Sequence, residues 1–281
     1  MTYSKNPFGV MQGRLLPKYR GRYQAHPVGY WQDEFARAAE FKLDCIEFIL
    51  DFNDADSNPL LRQGGLEEIQ RAGEKHGVRV LTVCADYFME APLHHPSPEI
   101  AANSALVLHR LLSGGEVLRL TDIVLPCVDQ SSLANDPAAQ DRFVRCLAPF
   151  VDLAERVNIN IALETDLAPQ PFVALLERIG SRRVTVNYDT GNSAALGFDP
   201  AEEMACYGDR ISDIHIKDRV LGGRSTTLGT GDAQFDRFFE ALHPVKYTGP
   251  FIMQAYRDDE GLAVFRNQSD WIRSHYLETM S

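Results

Sequence analysis

The chain reads as a single-domain (β/α)8 barrel, and three observations in its 281 residues predict it. Short runs rich in β-branched and aromatic residues alternate with amphipathic helical patterns from one end to the other. Eight such runs and eight helical patterns follow in turn, whereas an open doubly wound sheet usually has about five to seven strands and a glycine fingerprint after the first. No GxGxxG follows the first run. The last four runs of strand character each end in or close to a polar residue, as they must if a barrel gathers its functional groups at the C-terminal ends of its strands. The whole span, 1–281, is therefore expected to be one domain, without a linker, a low-complexity tract or a second unit.

The first strand is expected at FGVMQ, residues 8 to 12, and ends in Gln12. The loop after it, GRLLPKYRGRYQAHPVGYW, carries Gly, Pro, Arg and aromatics, and loops of that length in a compact domain are more often functional than idle. WQDEFARAAEF continues as a helix, and CIEFIL, residues 45 to 50, is a strand with Glu47 in its interior. Gly77 ends the helix LEEIQRAGEKHG. VRVLTVCA delivers Asp86 and Tyr87 into the loop FMEAPLHHPSP, and a helix is expected from about Glu99 to Leu112. After the fourth strand, DIVLP, either Asn135 or Asp136 caps a helix running from about Ala138 to Arg156. The remaining units are NINIALE, then PFVALLERIG with RRVTVNYD, PAEEMACYG with ISDIHIKD, FDRFFEAL with PFIMQAY, and a closing helix to about Tyr276.

Charge and cysteines narrow the ligand and the compartment. A net charge of −11 argues against a surface that tracks nucleic-acid phosphates, which needs clustered Lys and Arg, so a small solute is the expected partner. The five cysteines are odd in number and widely spaced, with no CxxC pair, as suits reduced thiols in the cytoplasm. No apolar stretch resembles a signal peptide or a membrane span, so no membrane partner is expected.

Four strand-end residues carry the chemistry. Glu164 closes IALE, Asp189 closes VNYD, His215 lies in DIHIKD and Gln254 closes FIMQ. Two carboxylates, an imidazole and an amide oxygen suit one divalent ion, Mn²⁺, Mg²⁺, Co²⁺ or Zn²⁺, and the lack of thiolates argues against a structural zinc. The blander alternative is that each polar residue ends its strand by capping the following helix.

The combination resembles the xylose isomerase-like TIM barrels, which include sugar and sugar-phosphate isomerases and epimerases of the tagatose-3-epimerase group. The resemblance spans nearly the whole chain and rests on CIEF, ALE, YDTGN, HIKD and LGTGDAQFDRFF. It implies Glu164, Asp189 and His215 as ligands of one divalent metal, and a metal-stabilised enediolate as the intermediate. In the family the first ligand and a final Glu also serve as acid and base on opposite faces of the substrate, which assigns catalytic roles to Glu164 and to position 254. The chain departs from the family there, because Gln254 stands where the family has Glu. An amide oxygen ligates a metal but does not exchange a proton near neutral pH, so Glu164 is the expected base, and one-face proton transfer is easier to support than two-faced epimerisation. Relatives with inosose dehydratase activity offer a lyase alternative on the same platform, and a non-catalytic sugar-binding barrel is a third. Members of the family pair up, which makes a homo-oligomer an expectation.

Substrate contacts are expected from Gln12, Arg14, Glu47, Asn192, Lys217, Arg219, Arg224 and Arg257. Arginine forks suit phosphate or carboxylate oxygens, so this basic set in an acidic protein points toward an anionic sugar. Each also has a plainer reading. Glu47 is held by a neighbouring Arg, Asn192 caps a helix, and Lys217 pairs with Asp218. LGTGD lacks the P-loop lysine and its strand-to-helix context, and is expected to be a shaped loop beside the metal loop.

Overall fold

The structure is a computed structural model and describes residues 3, 5–259 and 261–278. Eight parallel strands close into a barrel: β1 (Phe8–Met11), β2 (Cys45–Ile49), β3 (Arg79–Cys84), β4 (Asp122–Cys127), β5 (Asn160–Thr165), β6 (Val184–Asp189), β7 (Ile211–Ile216) and β8 (Phe251–Met253). Each pairs with its sequence neighbour, and β8 pairs with β1, Gly9 facing Ile252, so the barrel has no free edge. Parallel strands need crossovers, and these are helices packed outside the barrel.

The helices are α1 (Asp33–Glu40), α2 (Gly65–His76), α3 (Tyr87–Glu90), α4 (Pro98–Leu118), α5 (Pro137–Val157), α6 (Pro169–Ile179), α7 (Thr190–Leu196), α8 (Pro200–Tyr207), α9 (Phe235–Leu242) and α10 (Ala263–Ile272). The alternation is therefore not one helix per strand: β3 is followed by α3 and α4, and β6 by α7 and α8. α4 also runs six residues past the expected end at Leu112, through Gly114 and Gly115. Those glycines mark close packing, since a Cβ at Gly115 would stand 2.6 Å from Ile159 Cδ1 and one at Gly114 2.9 Å from Leu66 Cδ1. Of the two candidate caps for α5, Asp136 accepts the Ala139 N–H at 2.8 Å, while Asn135 takes a left-handed turn with φ 57°.

Strand side chains alternate between two cores. Met11, Cys45, Ile49, Leu81, Cys84, Val124, Ala162 and Ile252 form a small apolar cluster apart from the main core shared with the helices. Period-two alternation places Glu47 in the same row as Cys45 and Ile49, and Glu164 in the same row as Ala162. The polar groups thus continue the inward rows, above or between apolar layers.

The long loop after β1 is held by a buried carboxylate. Glu34 of α1 accepts the Gly13 N–H at 2.7 Å and the Leu15 N–H at 3.0 Å, and burial pushes its pKa up to about 7. A second short feature follows β7, an antiparallel ribbon of Asp218–Arg219 with Ser225–Thr226. All five cysteines are unpaired, and no helix among the described residues is long and apolar enough to cross a membrane.

Candidate functional site

β5, β6 and β7 bring Glu164, Asp189 and His215 together. Each offers a ligand atom within 4.8 Å of the others, and all three are buried. Strand register contributes directly, because Asp189 of β6 lies opposite His215 of β7. A shift between Val186 and Asn187 precedes that pairing, and a matching irregularity between Ile46 and Glu47 lies on β2. Bulges of this kind re-aim side chains at a barrel rim.

His215 is oriented from behind. Its Nε2 lies 2.7 Å from Glu47 Oε1, and Glu47 Oε2 accepts the Thr82 hydroxyl at 2.6 Å. A carboxylate on Nε2 calls for the tautomer that keeps the proton there and leaves the Nδ1 lone pair open. Among the described residues His215 Nδ1 is buried without a hydrogen-bond partner, as is Gln254 Oε1. Gln254 ends β8 beside β7, its N–H bonded to Ile216 O at 3.0 Å. Two buried acceptors left open, one on His215 and one on the neighbouring strand end, together with the Glu164 and Asp189 carboxylates grouped with His215, suit a divalent cation with mixed oxygen and nitrogen ligands.

Asp189 serves two purposes. Its Oδ1 accepts the Gly191 and Asn192 N–H groups, each at 2.8 Å, and so caps α7. Its Oδ2 faces the Lys217 ammonium at 3.3 Å. The capping alternative is thus correct for one oxygen of this residue, and the other remains directed toward a cation. Glu164 is held by the Asn192 side-chain NH₂ through Oε1. Burial, and then the charge of Asp189, raise the Glu164 pKa, while His215 and Lys217 oppose the rise.

Glu47 also carries a raised pKa, chiefly from burial. Beside it, Asp213 completes a second acidic group around His215, again within 4.8 Å. Burial and the neighbouring Glu47 charge raise the Asp213 pKa far above the usual carboxylate range, although among the described residues neither of its oxygens makes a well-formed hydrogen bond. Glu47 is therefore placed as the partner of His215, fully buried, and not as a group lining the open mouth.

The other expected contacts divide. Gln12 Oε1 accepts the Ile49 N–H at 3.0 Å and faces His26 Nδ1 at 3.2 Å, which leaves its buried Nε2 without a partner among the described residues. Arg14 donates to Ala255 O at 3.1 Å and to Gln24 Oε1 at 3.2 Å. Arg219 binds Gly223 O through Nε and Nη2, and Asn192 Oδ1 through Nη1 at 2.9 Å. Arg257 donates to the carbonyls of Arg14, Asp258 and Gly261 and lies 4.6 Å over the Tyr23 ring. Arg224 is exposed at the ribbon. Lys217 is paired with Asp189, and Asp218 instead gathers the N–H groups of Gly229, Gly231 and Ala233 at 2.9, 2.9 and 3.1 Å. The LGTGD run is therefore wound around a carboxylate. Gly231 has to be glycine, because a Cβ there would meet Asp218 Oδ1 at 2.4 Å.

Reading the sequence alone missed Gln24, Thr82 and Asp213. Asp213 and His215 are two apart on one strand and so share a face, which was a usable signal. Gln24 sits in an irregular loop and had none.

A family model described as xylose isomerase-like TIM barrel matches residues 35–275, and the chain belongs to that family. An L-ribulose-5-phosphate 3-epimerase of Salmonella typhimurium is 24 % identical over 264 residues, covering 89 % of this chain and 92 % of that protein. A probable L-ribulose-5-phosphate 3-epimerase of Mycoplasma pneumoniae is 21 % identical over 268 residues, covering 92 % of this chain and 84 % of that one. These relatives are epimerases, enzymes of the isomerase class, which favours that chemistry over the dehydratase and non-catalytic alternatives. Among solved structures, a xylose isomerase-like TIM barrel protein from Mycobacterium smegmatis in complex with magnesium superposes with TM-score 0.71 at 19 % identity, over 97 % of each chain.

Proposed function

We propose that the chain is a divalent-metal-dependent sugar or sugar-phosphate isomerase or epimerase in which Glu164 removes a proton from the carbon beside a carbonyl. The observation that carries this reading is the convergence of Glu164, Asp189 and His215, supported by two buried acceptors, His215 Nδ1 and Gln254 Oε1, that lack partners among the described residues. Mn²⁺, Mg²⁺, Co²⁺ or Zn²⁺, held by these four residues, supplies a Lewis acid that stabilises negative charge developing on substrate oxygens.

The chain's own groups do the rest. Burial and Asp189 raise the Glu164 pKa, a divalent cation beside it would favour the carboxylate form, and the ionised group is the one that acts as base. Asn192 donates to Oε1 and so holds the Glu164 carboxylate in place. Gln254 cannot relay a proton, so Glu164 alone among these four serves one-face proton transfer, as in aldose–ketose exchange, whereas epimerisation requires a second acid from another strand. Gln12 Nε2 and the Lys217 ammonium are the donors we assign to sugar hydroxyls. Arg14, Arg219 and Arg257 each bind carbonyl or amide oxygens of the protein, so in this reading they brace the mouth. Arg224 is the candidate for a phosphate oxygen. Free thiols at all five cysteines support a reducing, cytoplasmic setting.

The test is turnover of ketoses and their 5- or 6-phosphates in deuterated water by protein stripped of metal and reloaded. Solvent deuterium in the product without loss of water is the expected result. Loss of water would make the enzyme a dehydratase. Metal content unaffected by His215→Ala, with no turnover on any sugar, would overturn the proposal.

A further inference from the structure

Gln254 poses a problem that a carboxylate would not. A carboxylate presents an oxygen whichever way it turns, but a carboxamide offers oxygen on one side and an NH₂ that cannot ligate a cation on the other. For Gln254 to replace a carboxylate in the ligand set, something must choose its orientation.

The hydrogen bonds around the mouth make that choice in sequence. Arg14 is a donor only, so the Gln24 atom that faces its Nη2 at 3.2 Å must be the oxygen. That assignment sends the Gln24 NH₂ the other way, where it meets Asp86 Oδ2 at 3.2 Å. Gln24 Oε1 also faces the Gln254 side chain at 2.9 Å, and an acceptor there requires the Gln254 NH₂. Gln254 Oε1 is then the end left over, and it is the buried acceptor without a partner among the described residues. Arg14 itself is held by Ala255 O at 3.1 Å, next in the chain to Gln254, so the device is tied to the end of β8 that it orients.

We infer that Gln24 is a positioning residue: fixed by Arg14 and Asp86, it turns the Gln254 carboxamide so that its oxygen, and not its NH₂, is offered to the metal. The inference rests on the metal site of the proposed function. It extends that reading by explaining how this chain uses Gln where its family has Glu, through a residue some 230 positions away in sequence.

A double-mutant cycle decides it, read as the affinity of metal-stripped protein for Mn²⁺ by electron paramagnetic resonance of the free ion. Gln24→Met is expected to weaken Mn²⁺ on the order of tenfold when position 254 is Gln, as outer-shell substitutions do. In the Gln254→Glu background the same change is expected to leave affinity unchanged or tighter, because a carboxylate has no wrong end and Gln24 Oε1 would otherwise repel it. Arg14→Met, which removes the donor that fixes Gln24, should show the same dependence on background and serves if Gln24→Met fails to fold by circular dichroism. Equal losses in both backgrounds would mean general support of the loop and would overturn the inference, as would no loss in either. Wild-type protein that binds no Mn²⁺ would remove the proposed metal site itself, a result distinct from either failure of the cycle.

Discussion

Glu47→Leu tests how the imidazole ligand is oriented. In the folded protein Glu47 Oε1 holds His215 Nε2 at 2.7 Å and Oε2 accepts the Thr82 hydroxyl at 2.6 Å, with no part of Glu47 exposed. Leucine fills much of the volume and removes both acceptors. The first loss frees the imidazole to turn and to place its proton on Nδ1, the atom the proposed site assigns to the metal. Removing such a partner costs about 10- to 100-fold in metal affinity, or roughly 1.4 to 2.7 kcal/mol. The second loss strands the Thr82 hydroxyl, at about 1 to 3 kcal/mol of folding stability. Against this, one buried acid disappears from beside Asp213, which relieves that carboxyl. The net expectation is a folded protein with modestly changed stability and strongly weakened metal binding. Glu47→Gln, which keeps an acceptor for Nε2–H, should retain most of the affinity. Calorimetric titration with Mn²⁺ and urea unfolding read the two effects separately. A folded Glu47→Leu protein that binds Mn²⁺ as tightly as wild type would refute the assignment of Nδ1 as ligand and Glu47 as its support.

Three further outcomes are expected. Glu164→Gln should slow solvent-deuterium incorporation by about 10²- to 10⁴-fold, the usual worth of a positioned base, and unaltered exchange would move the base elsewhere. His26 is 3 % exposed and burial lowers its pKa to about 4, below the unfolded value, so the folded state resists its protonation. Its contribution is fully present above about pH 6.5 and is lost as pH falls toward 4, amounting to ~3 kcal/mol, so His26→Leu should flatten the loss of urea-unfolding stability over that window. Finally, a Cβ at Gly191 would lie 2.7 Å from Lys217 Cγ, so Gly191→Ala should cost about 1 to 3 kcal/mol by overpacking and displace the ammonium from Asp189. Lys217→Ala should relieve most of that cost, and strictly additive effects would show that the two residues do not interact.

The barrel was legible because burial imposes a period. Runs such as CIEFI and VTVNYD are buried on both faces, and their separation by helix-length patterns leaves few topologies open. Where the reading slipped, it did so at short or glycine-containing helices. α3 has four residues and α7 seven, too few to show a 3.6-residue period, and α4 continues through Gly114 and Gly115 because of close packing against Leu66 and Ile159 that is not local. Of the four strand-end ligand candidates, three stand within 4.8 Å of one another, and the fourth presents an oxygen with no hydrogen-bond partner among the described residues.

Sequence alone determined the kind of protein this is: eight strands separated by helical segments, with carboxylates, an imidazole and a glutamine at the strand ends. Those features follow from side-chain period and residue chemistry, which are properties of short stretches. Only the tertiary structure decided what each polar group does. It set Glu47 on His215 across 168 positions, gave one oxygen of Asp189 to a helix cap, wound the glycine loop onto Asp218, and aimed Gln254 by way of Gln24. The reason is that a hydrogen bond has a donor end and an acceptor end. Which end faces which is set by neighbours that meet only when the barrel closes.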